Sequence, residues 1–310
     1  MHKKFLMGNN DGIVRSKASP DATTVISPRL RTKLTTLAII KSMQSFSEFF
    51  GMSAEGFDYD QLAAKYEAVA DNAVSLEMFI MGSIQEKDHI NFWCLNQLYH
   101  PEVYLESGVF IGSSMHAFAD SPTLKETVAI DPNIHKLRVR HDRFADLKAI
   151  RDSDFSELTM DHSGKKSVAY FDDHIDPASR ILQAHEKGFR YVVFDDATGL
   201  EGLCQRLYPA VPTIPMIVNP DLYQIRDSLS WTYKKKFTMK ALMKKLLMIK
   251  GGEMSVRLDF IITDTIRERC DKANSVIVKH ARFPDLSDFV AQSRPRFMCD
   301  TTKYILELKQ

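Results

Sequence analysis

Cysteine is scarce in this chain of 310 residues, and its four cysteines include no C-x-x-C pair. Scattered cysteines of this kind indicate reduced residues of a cytosolic protein rather than a disulfide framework or a zinc site. The chain also lacks an apolar run long enough to span a bilayer, and its first residues, MHKKFLMGNNDG, lack the apolar core of a signal peptide. We therefore expect a soluble, cytoplasmic protein without stable membrane insertion.

A charge excess of either sign is also missing. The 41 Lys and Arg residues nearly balance the 40 Asp and Glu residues, which leaves a formal net charge of +1. A general nucleic-acid-binding protein usually carries a clear basic excess, so we expect no nucleic-acid partner. The hydrophobic content of 44% is ordinary for a globular protein, and the chain is long enough to bury a core as one large or two small domains.

Composition and periodicity divide the chain into three parts. Residues 1–30 are polar and rich in turn formers, which predicts a flexible arm. Residues 31–100 carry apolar residues at helical spacing, which predicts a helical N-terminal region. Residues 101–310 form the main domain with a helical insertion at about 200–255. In that insertion, residues 233–250 (YKKKFTMKALMKKLLMIK) predict a basic amphipathic helix, either packed with its lysines in solvent, or acting as a lid, or lying on a membrane surface.

The most informative stretch, residues 103–132, reads VYLESGVFIGSSMHAFADSPTLKETVAIDP. It predicts a strand, a glycine turn, a helix and a second strand, which is the plan of a nucleotide-binding βαβ unit. Gly108 and Gly112 let the backbone adopt positive φ and approach a ligand closely. Asp131 ends the second strand, where its carboxylate can accept hydrogen bonds from both hydroxyls of a ribose.

The spacing of this turn distinguishes between ligands. A dinucleotide-binding turn is typically G-x-G-x-x-G, whereas this chain has E-x-G-x-x-x-G. Glu106 would repel a pyrophosphate but suits a cationic ligand that carries an amine. A glycine turn in another kind of α/β protein remains the alternative. After Asp131, residues 134–145 predict a basic helix and residues 147–150 a short third strand.

Two further strands each end in paired acids within KSVAYFDDHIDPASRILQAHEKGFRYVVFDDATG, residues 166–199. Because the carboxyl ends of parallel strands meet at one edge of a sheet, their acids and His174 should converge there. Adjacent carboxylates raise each other's pKa unless they are compensated, commonly by a divalent cation with oxygen ligands. Helix capping and solvation are the alternative, and Asp176 before Pro177 suits an N-cap.

These features resemble the class I S-adenosylmethionine (SAM)-dependent methyltransferases, whose first motif is an acid followed by G-x-x-x-G. The resemblance implies an α/β, Rossmann-like fold with a mostly parallel seven-stranded sheet. It also implies that SAM is the cofactor, with the glycines along its methionine part, Asp131 on its ribose, and the loop after the third strand near its adenine, although that loop also suits a turn or a helix cap. The implied cofactor-binding residues are Glu106, Gly108, Gly112, Ser113, Asp131, Asp154 and Phe155.

Residues 90–200 resemble more specifically the macrocin O-methyltransferase and cephalosporin-hydroxylase-like branch. Matched to its acid-tipped strands, Asp172, Asp195 and Asp196 are implied to bind Mg²⁺. The chain departs from the pattern at two places: His174 replaces the second acid of the turn, and Gly188 alone stands where two glycines precede the fifth strand.

We therefore expect an O-methyltransferase that acts on a hydroxyl of a small polyol or sugar-type substrate, with assistance from Mg²⁺. His174 is the first candidate for the base, Asp173 the second, and His162 a weaker third. Two alternatives stay open: a non-haem metal-dependent hydroxylase, which would want two His and one carboxylate, and a non-catalytic SAM- or nucleotide-binding protein. The sequence leaves open the acceptor and whether the protein forms a homo-oligomer.

Overall fold

The computed structural model describes residues 27–80, 82–139, 142, 144, 146–199, 209–237, 252–290 and 302–310, together with two short strands near the N-terminus. These strands, β1 (Ile13–Arg15) and β2 (Thr23–Val25), pair antiparallel. In the described residues of the predicted arm, the structure thus has a small hairpin followed by the start of a helix.

Three helices form the N-terminal region, where the sequence predicts helix: α1 (Pro28–Phe50), α2 (Tyr59–Ser75) and α3 (Glu86–Tyr99). Ser27 and Asp58 cap the starts of α1 and α2 by accepting a backbone N–H three residues on. Gly51 ends α1 in the left-handed conformation. Helix α3 is buried along nearly all of its length, because it lies between the other two helices and the central sheet.

The remaining chain contains nine strands and four helices in its described residues. The strands are β3 (Val103–Ser107), β4 (Glu126–Ile130), β5 (Leu147–Ile150), β6 (Ser167–Phe171), β7 (Tyr191–Phe194), β8 (Ser228–Phe237), β9 (Gly252–Ile261), β10 (Ile277–Arg282) and β11 (Tyr304–Leu308). The helices are α4 (Ser113–His116), α5 (Pro177–Glu186), α6 (Ile214–Val218) and α7 (Asp264–Asn274).

Seven of these strands form one sheet in the order β10-β11-β7-β6-β3-β4-β5. The five strands from β7 to β5 are parallel, and β11 runs antiparallel to both of its neighbours. The predicted Rossmann-like class I methyltransferase fold, with a mostly parallel seven-stranded sheet, is confirmed by this order. Strand β3 lies between β4 and β6, so the direction of winding reverses at its carboxyl end, which is where ligands bind in open α/β sheets.

Two apolar cores cover the two faces of the sheet. Alternate residues of each strand point to opposite faces, so Tyr104 and Tyr170 pack against the N-terminal helices. Their neighbours Leu105 and Ala169 pack on the other face, beneath α5, α6 and α7. The sheet is therefore the middle of three layers.

The basic helix predicted for residues 134–145 differs from the structure. Only Ile134–Lys136 form a helical turn, and residues 137–139 leave it; residues 140, 141, 143 and 145 lie outside the described part. The backbone N–H of Arg138 donates to the carbonyl of Ile111 at 3.0 Å instead of bonding within a helix. The segment turns back in this way because it packs against the glycine turn.

The predicted insertion at about 200–255 also differs in its described residues. It contains one short helix, α6, and a long antiparallel pair in which Ser228–Phe237 face Gly252–Ile261. Residues 233–237, predicted as the start of the basic helix, belong to β8 because their backbone pairs with β9. Residues 200–208 and 238–251, which include the rest of that helix, lie outside the described part. Across the described helices, none is long and apolar enough to cross a membrane.

Candidate cofactor-binding and catalytic site

Gly108 brings the ends of β3 and β6 together at the point where the sheet reverses its winding. Its φ is +91°, and a Cβ there would lie 2.5 Å from the carbonyl carbon of Asp172 and 2.8 Å from the backbone nitrogen of Asp173. The N–H of Asp172 donates to the carbonyl of Ser107 at 2.8 Å. Because no side chain fits in this contact, the position requires glycine for both conformation and space.

Asp131 fixes the shape of the glycine turn from the end of β4. Its Oδ2 accepts the backbone N–H of Phe110 at 2.7 Å, and its Oδ1 accepts that of Asn133 at 2.5 Å. Phe110 has a positive φ of 51°, which this hydrogen bond helps to hold. Each carboxylate oxygen can accept a further bond, so Asp131 can still receive ribose hydroxyls as predicted.

Glu106 lies buried beneath the turn, where Tyr104 donates to it at 2.8 Å and Ser114 donates to its other oxygen. Burial raises the pKa of Glu106 to about 8, against the lowering effect of these two hydrogen bonds, and the charges of Asp131 and Asp195 raise it further. A buried carboxyl group of this kind gains its negative charge most readily when a cation binds nearby. This environment agrees with the cationic ligand predicted from the motif.

Ser113 and Gly112 join the turn to its surroundings. A Cβ on Gly112 would lie 2.8 Å from Leu137 Cδ1, so the segment after β4 packs directly on this glycine. The Ser113 hydroxyl donates to the carbonyl of Met78 at 2.6 Å. Ser113 thus connects the turn to the loop between α2 and α3, and its hydroxyl proton is already used.

A chain of buried polar side chains extends this connection from α2 through α3 to α4. Tyr66 Oη lies 3.1 Å from His89 Nδ1, His89 Nε2 lies 3.2 Å from His116 Nδ1, and His116 Nε2 lies 3.0 Å from Asn72 Oδ1. One consistent assignment has Tyr66 donating to His89, His89 to His116, and His116 to Asn72. Burial, with the nearby His116, lowers the pKa of His89 well below its usual value, which keeps His89 neutral.

Asp173, the second candidate base, is held in a structural bridge. Its Oδ2 accepts from Ser107 Oγ at 2.7 Å and from Arg180 Nε at 3.0 Å, while Oδ1 accepts the N–H of Ile175 at 3.1 Å. Three donors, one of them a guanidinium, already occupy both oxygens of this carboxylate. The structure therefore corrects the prediction for Asp173: it positions the end of β6.

Asp154 and Phe155, which the sequence predicts near the adenine, have structural roles in this conformation. Asp154 accepts from Arg180 Nη1 at 2.9 Å and caps the short helical turn Phe155–Glu157, so it fills the capping role that the sequence left open. The bond from Arg180 lowers the pKa of Asp154. Phe155 has no exposed surface and packs against Phe171 with ring centroids 5.0 Å apart. In this conformation Phe155 lies in the core and does not line a pocket.

His162, the third candidate base, lies away from the glycine turn. Its Nδ1 is 3.8 Å from a carboxylate oxygen of Glu126, the first residue of β4, and its ring packs on Phe189 at 4.8 Å between centroids. Glu126 marks the amino end of a parallel strand, whereas Gly108 follows the carboxyl end of its neighbour. His162 is therefore at the opposite edge of the sheet, which corrects that prediction.

His174 stays with the acids at the carboxyl edge. Its Nε2 lies 3.8 Å from Asp172 Oδ1, it is nearly buried, and its φ is +54°. A side-chain hydrogen bond joins Asp172 to Asp195, and Asp196 follows in the same buried turn. The structure thus brings His174 to the edge where the acids after β6 and β7 lie, and its role as the base stays a prediction.

Lys303, which sequence reasoning missed, provides a positive charge in this cluster. Its ammonium contacts Asp195 Oδ1 and lies 3.3 Å from Asp88 Oδ2, with only 4% of its side chain exposed. Burial lowers the pKa of Lys303, but the two acids outweigh that effect and raise it. Burial likewise raises the pKa of Asp195, but Lys303 and the bond from Asp172 bring it below its ordinary value.

The carboxylates do not fit the predicted Mg²⁺ site in this arrangement. Across the described ranges, no group of three or more His, Cys, Asp or Glu side chains could hold a metal ion. Oδ1 of Asp195 is in contact with the ammonium of Lys303. The ammonium of Lys303 is therefore the cation beside Asp195, where the divalent ion was expected.

Comparisons with known proteins give only distant structural similarity. No protein-family model and no curated protein sequence matches the chain. Among solved structures, the SAH-bound methyltransferase PaMTH1 of Podospora anserina has a TM-score of 0.39 and 11% identity, covering 83% of this chain and 99% of its own.

Two other solved structures are similarly distant. The tRNA (m1A58) methyltransferase TrmI of Aquifex aeolicus has a TM-score of 0.37 and 10% identity, covering 74% of this chain and 71% of its own. A SAM-dependent methyltransferase of Clostridium acetobutylicum has a TM-score of 0.36 and 11% identity, covering 79% of this chain and 100% of its own. Scores this low carry no argument, so the fold assignment rests on the strand order, and the macrocin O-methyltransferase branch stays a prediction.

Proposed function

We propose that the chain is a SAM-dependent O-methyltransferase. The observation that carries this proposal is the arrangement at the switch point between β3 and β6. Gly108 lets the ends of β3 and β6 meet without an intervening side chain, Asp131 can accept ribose hydroxyls, and Glu106 provides a buried carboxyl group suited to a cation. These three features correspond to the methionine, ribose and cationic parts of one cofactor.

The expected reaction needs little chemistry from the protein. When bound, SAM supplies a methyl group on a positively charged sulfur; transfer to a hydroxyl breaks the S–C bond, forms an O–C bond and releases the hydroxyl proton. The protein must hold the hydroxyl in line and exclude water, which contributes much of the rate. It must also accept the proton.

We assign proton acceptance to His174. Its place beside Asp172 at the carboxyl edge of the sheet supports this assignment, whereas Asp173 is held there by a guanidinium. Asp172, 3.8 Å away, can orient the ring of His174 and stabilise the imidazolium that forms. The positive φ of His174 agrees with this role, since strained backbone conformations occur often at functional sites.

The acceptor class is part of the proposal. The resemblance of the acid-tipped strands β6 and β7 to enzymes that modify sugars and related molecules supports a small polyol or sugar-type hydroxyl. A non-haem hydroxylase is less well supported, because His174 lies among carboxylates and a lysine rather than beside a second histidine. A non-catalytic SAM-binding protein would share the cofactor site and would transfer no methyl group.

Calorimetric titration of S-adenosylhomocysteine (SAH) tests the cofactor assignment. Asp131→Asn keeps one acceptor oxygen for the turn but loses the charge, so we expect about tenfold weaker binding or more. Asp152→Asn is the matched control, because the Asp152 side chain is 91% exposed. Absence of SAH binding by the wild-type protein would contradict the proposal.

A second measurement separates an enzyme from a binding protein. Transfer of labelled methyl from SAM to a panel of polyols and sugars should yield base-stable methyl ethers. His174→Gln should lower the transfer rate by about 10²-fold or more while SAH affinity stays unchanged. Equal rates in the two proteins would remove His174 from the mechanism.

A further inference from the structure

We propose that Lys303 is the resident cation of the carboxylate cluster at the carboxyl edge of the sheet, and that it takes the place of a divalent metal there. The proposal concerns the site of the proposed methyl transfer and rests on that function only for its consequence for the reaction. Its structural basis is independent of any bound cofactor. It makes the chain's own C-terminal strand part of the site.

The strand register places Lys303 in the cluster. β11 runs antiparallel to β7, and Tyr304 is paired with Phe194. The residue before Tyr304 therefore lies beside the residue after Phe194, which are Lys303 and Asp195. Backbone pairing of two buried strands fixes this neighbour relation, so the contact does not depend on a flexible side chain finding its partner.

A second carboxylate completes the environment of the ammonium. Asp88, in the first turn of α3, approaches Lys303 Nζ to 3.3 Å. The cation thus joins α3, β7 and β11, three elements that are distant in sequence. An uncompensated carboxylate at this depth would be strongly destabilising, and the lysine satisfies both.

The same geometry disfavours Mg²⁺. Magnesium demands octahedral coordination and usually keeps several of its waters, which requires an open, hydrated site. Here the side chains of Lys303 and Asp195 are 4% and 8% exposed, and Asp195 is also bonded to Asp172. A metal and the ammonium would compete for one position.

We therefore assign Lys303 a positioning role. It orients Asp195, which is hydrogen-bonded to Asp172, and Asp172 in turn lies beside His174. The arrangement would hold the proposed base without any added metal. Methyl transfer, if the proposed function is right, should then proceed in the presence of a chelator.

Metal binding itself tests the proposal. Mn²⁺, followed by electron paramagnetic resonance, serves as a probe for a divalent ion, and thermal unfolding is measured with Mg²⁺ or with EDTA. We expect no saturable Mn²⁺ binding by the wild-type protein and the same Tm in both solutions. Lys303→Ala removes the ammonium from the acids and leaves space, so it should bind about one equivalent of Mn²⁺ and regain Tm when Mg²⁺ is added.

Two further variants make the outcome specific. Lys279→Ala removes a lysine that lies 3.0 Å from Glu307 on the surface, and it should gain no metal binding. Lys303→Met with Asp88→Asn and Asp195→Asn removes the ammonium and the charges of both its partners and should fold without a metal, which keeps the test usable if Lys303→Ala does not fold. Stoichiometric Mn²⁺ binding by the wild type that Asp195→Asn abolishes would overturn the proposal.

These readouts distinguish this proposal from the proposed function. SAH binding can fail while the metal titrations behave as expected, in which case the site is a lysine-neutralised cluster of another protein class. SAH binding that requires Mg²⁺ and is lost in EDTA would overturn the lysine proposal alone.

Discussion

Two glycines with left-handed backbones allow the stability cost of a strained conformation to be measured apart from the cost of a steric clash. Gly108 has φ +91° and backbone atoms of Asp172 and Asp173 against it, whereas Gly164 has φ +75° and nothing within 4 Å. Gly164→Ala should therefore cost about 1 kcal/mol of unfolding free energy. Gly108→Ala should cost roughly 3 kcal/mol, because an added methyl must also push β3 from β6.

Urea unfolding of the two variants measures this difference, and SAH titration adds a functional readout. Only Gly108→Ala should weaken SAH binding, since only that position lies at the switch point. Equal losses of stability would mean that backbone conformation alone explains the requirement for glycine.

The buried carboxyl group of Glu106 predicts a pH dependence of ligand binding. Because burial raises its pKa to about 8, a large part of the protein carries protonated Glu106 at neutral pH. A cationic ligand stabilises the carboxylate, so binding of SAM should release a proton below pH 8, and the affinity should rise as the pH rises towards that value. Calorimetry in buffers of different ionisation enthalpy counts the protons released.

Glu106→Gln provides the control for that measurement. It keeps the side-chain shape and an acceptor for Tyr104 but removes the titration. We expect the proton release to disappear and the affinity to become less dependent on pH between about 6 and about 8. A release that is unchanged in the variant would assign the proton to another group.

At the scale of elements, Arg180 links α5 to the ends of two strands. It holds Asp173 after β6 and Asp154 after β5, and only 1% of its side chain is exposed. Arg180→Met leaves these acids without their cation, so we expect a loss of about 3 kcal/mol at neutral pH. Arg190→Met is the surface control: its partner Glu307 lies 3.0 Å away, its side chain is 45% exposed, and the loss should be about 1 kcal/mol or less.

Lowering the pH should reduce the difference in stability between the wild type and Arg180→Met. The bond from Arg180 lowers the pKa of Asp154, so this stabilisation is present above the unfolded carboxyl value and is lost as the pH falls through the lower folded value. The difference between variant and wild type in urea midpoints should thus hold down to about pH 4, the unfolded carboxyl value, and shrink as the pH falls further. A constant difference would show that packing of Arg180, rather than charge, is what the substitution removes.

The elements that sequence reasoning predicted well are the buried strands. Strands β3, β6 and β7 lie within the stretches 103–132 and 166–199, where the sequence predicts strands. Strands buried on both faces read as continuous apolar runs, which makes them easy to find. Their ends carry the acids and glycines, so Gly108, Asp131 and the acid-tipped strands could be placed at one edge from the sequence.

The errors come from contacts that are distant along the chain. The segment after β4 has a helical pattern, but its backbone bonds to Ile111 and packs on Gly112. Residues 233–237 have the pattern of an amphipathic helix, but pairing with β9 makes them a strand. Lys303 could not be assigned to the site from the sequence, because its partners Asp88 and Asp195 are both far away along the chain.

At the scale of the whole molecule, β11 connects the five parallel strands to the edge strand β10. It pairs with β7 on one side and β10 on the other, and all five of its residues are buried. The residue before it, Lys303, contacts the N-terminal helices through Asp88. The last strand of the described chain is therefore an inner strand of the sheet, and sheet, N-terminal helices and site should form in one cooperative step.

Proline substitution tests this dependence. Leu306 lies fully buried in the middle of β11, where a proline removes a ladder hydrogen bond and should cost about 3 kcal/mol or more. Val278, 57% exposed, lies in the irregular part of edge strand β10 between the paired residues Ile277 and Lys279, so proline there should be tolerated. We expect Leu306→Pro to lose its cooperative thermal transition and SAH binding together, while Val278→Pro keeps both. If Leu306→Pro still bound SAH with wild-type affinity, the glycine turn and its acids would have to fold without the C-terminal strand, and the site would not depend on Lys303.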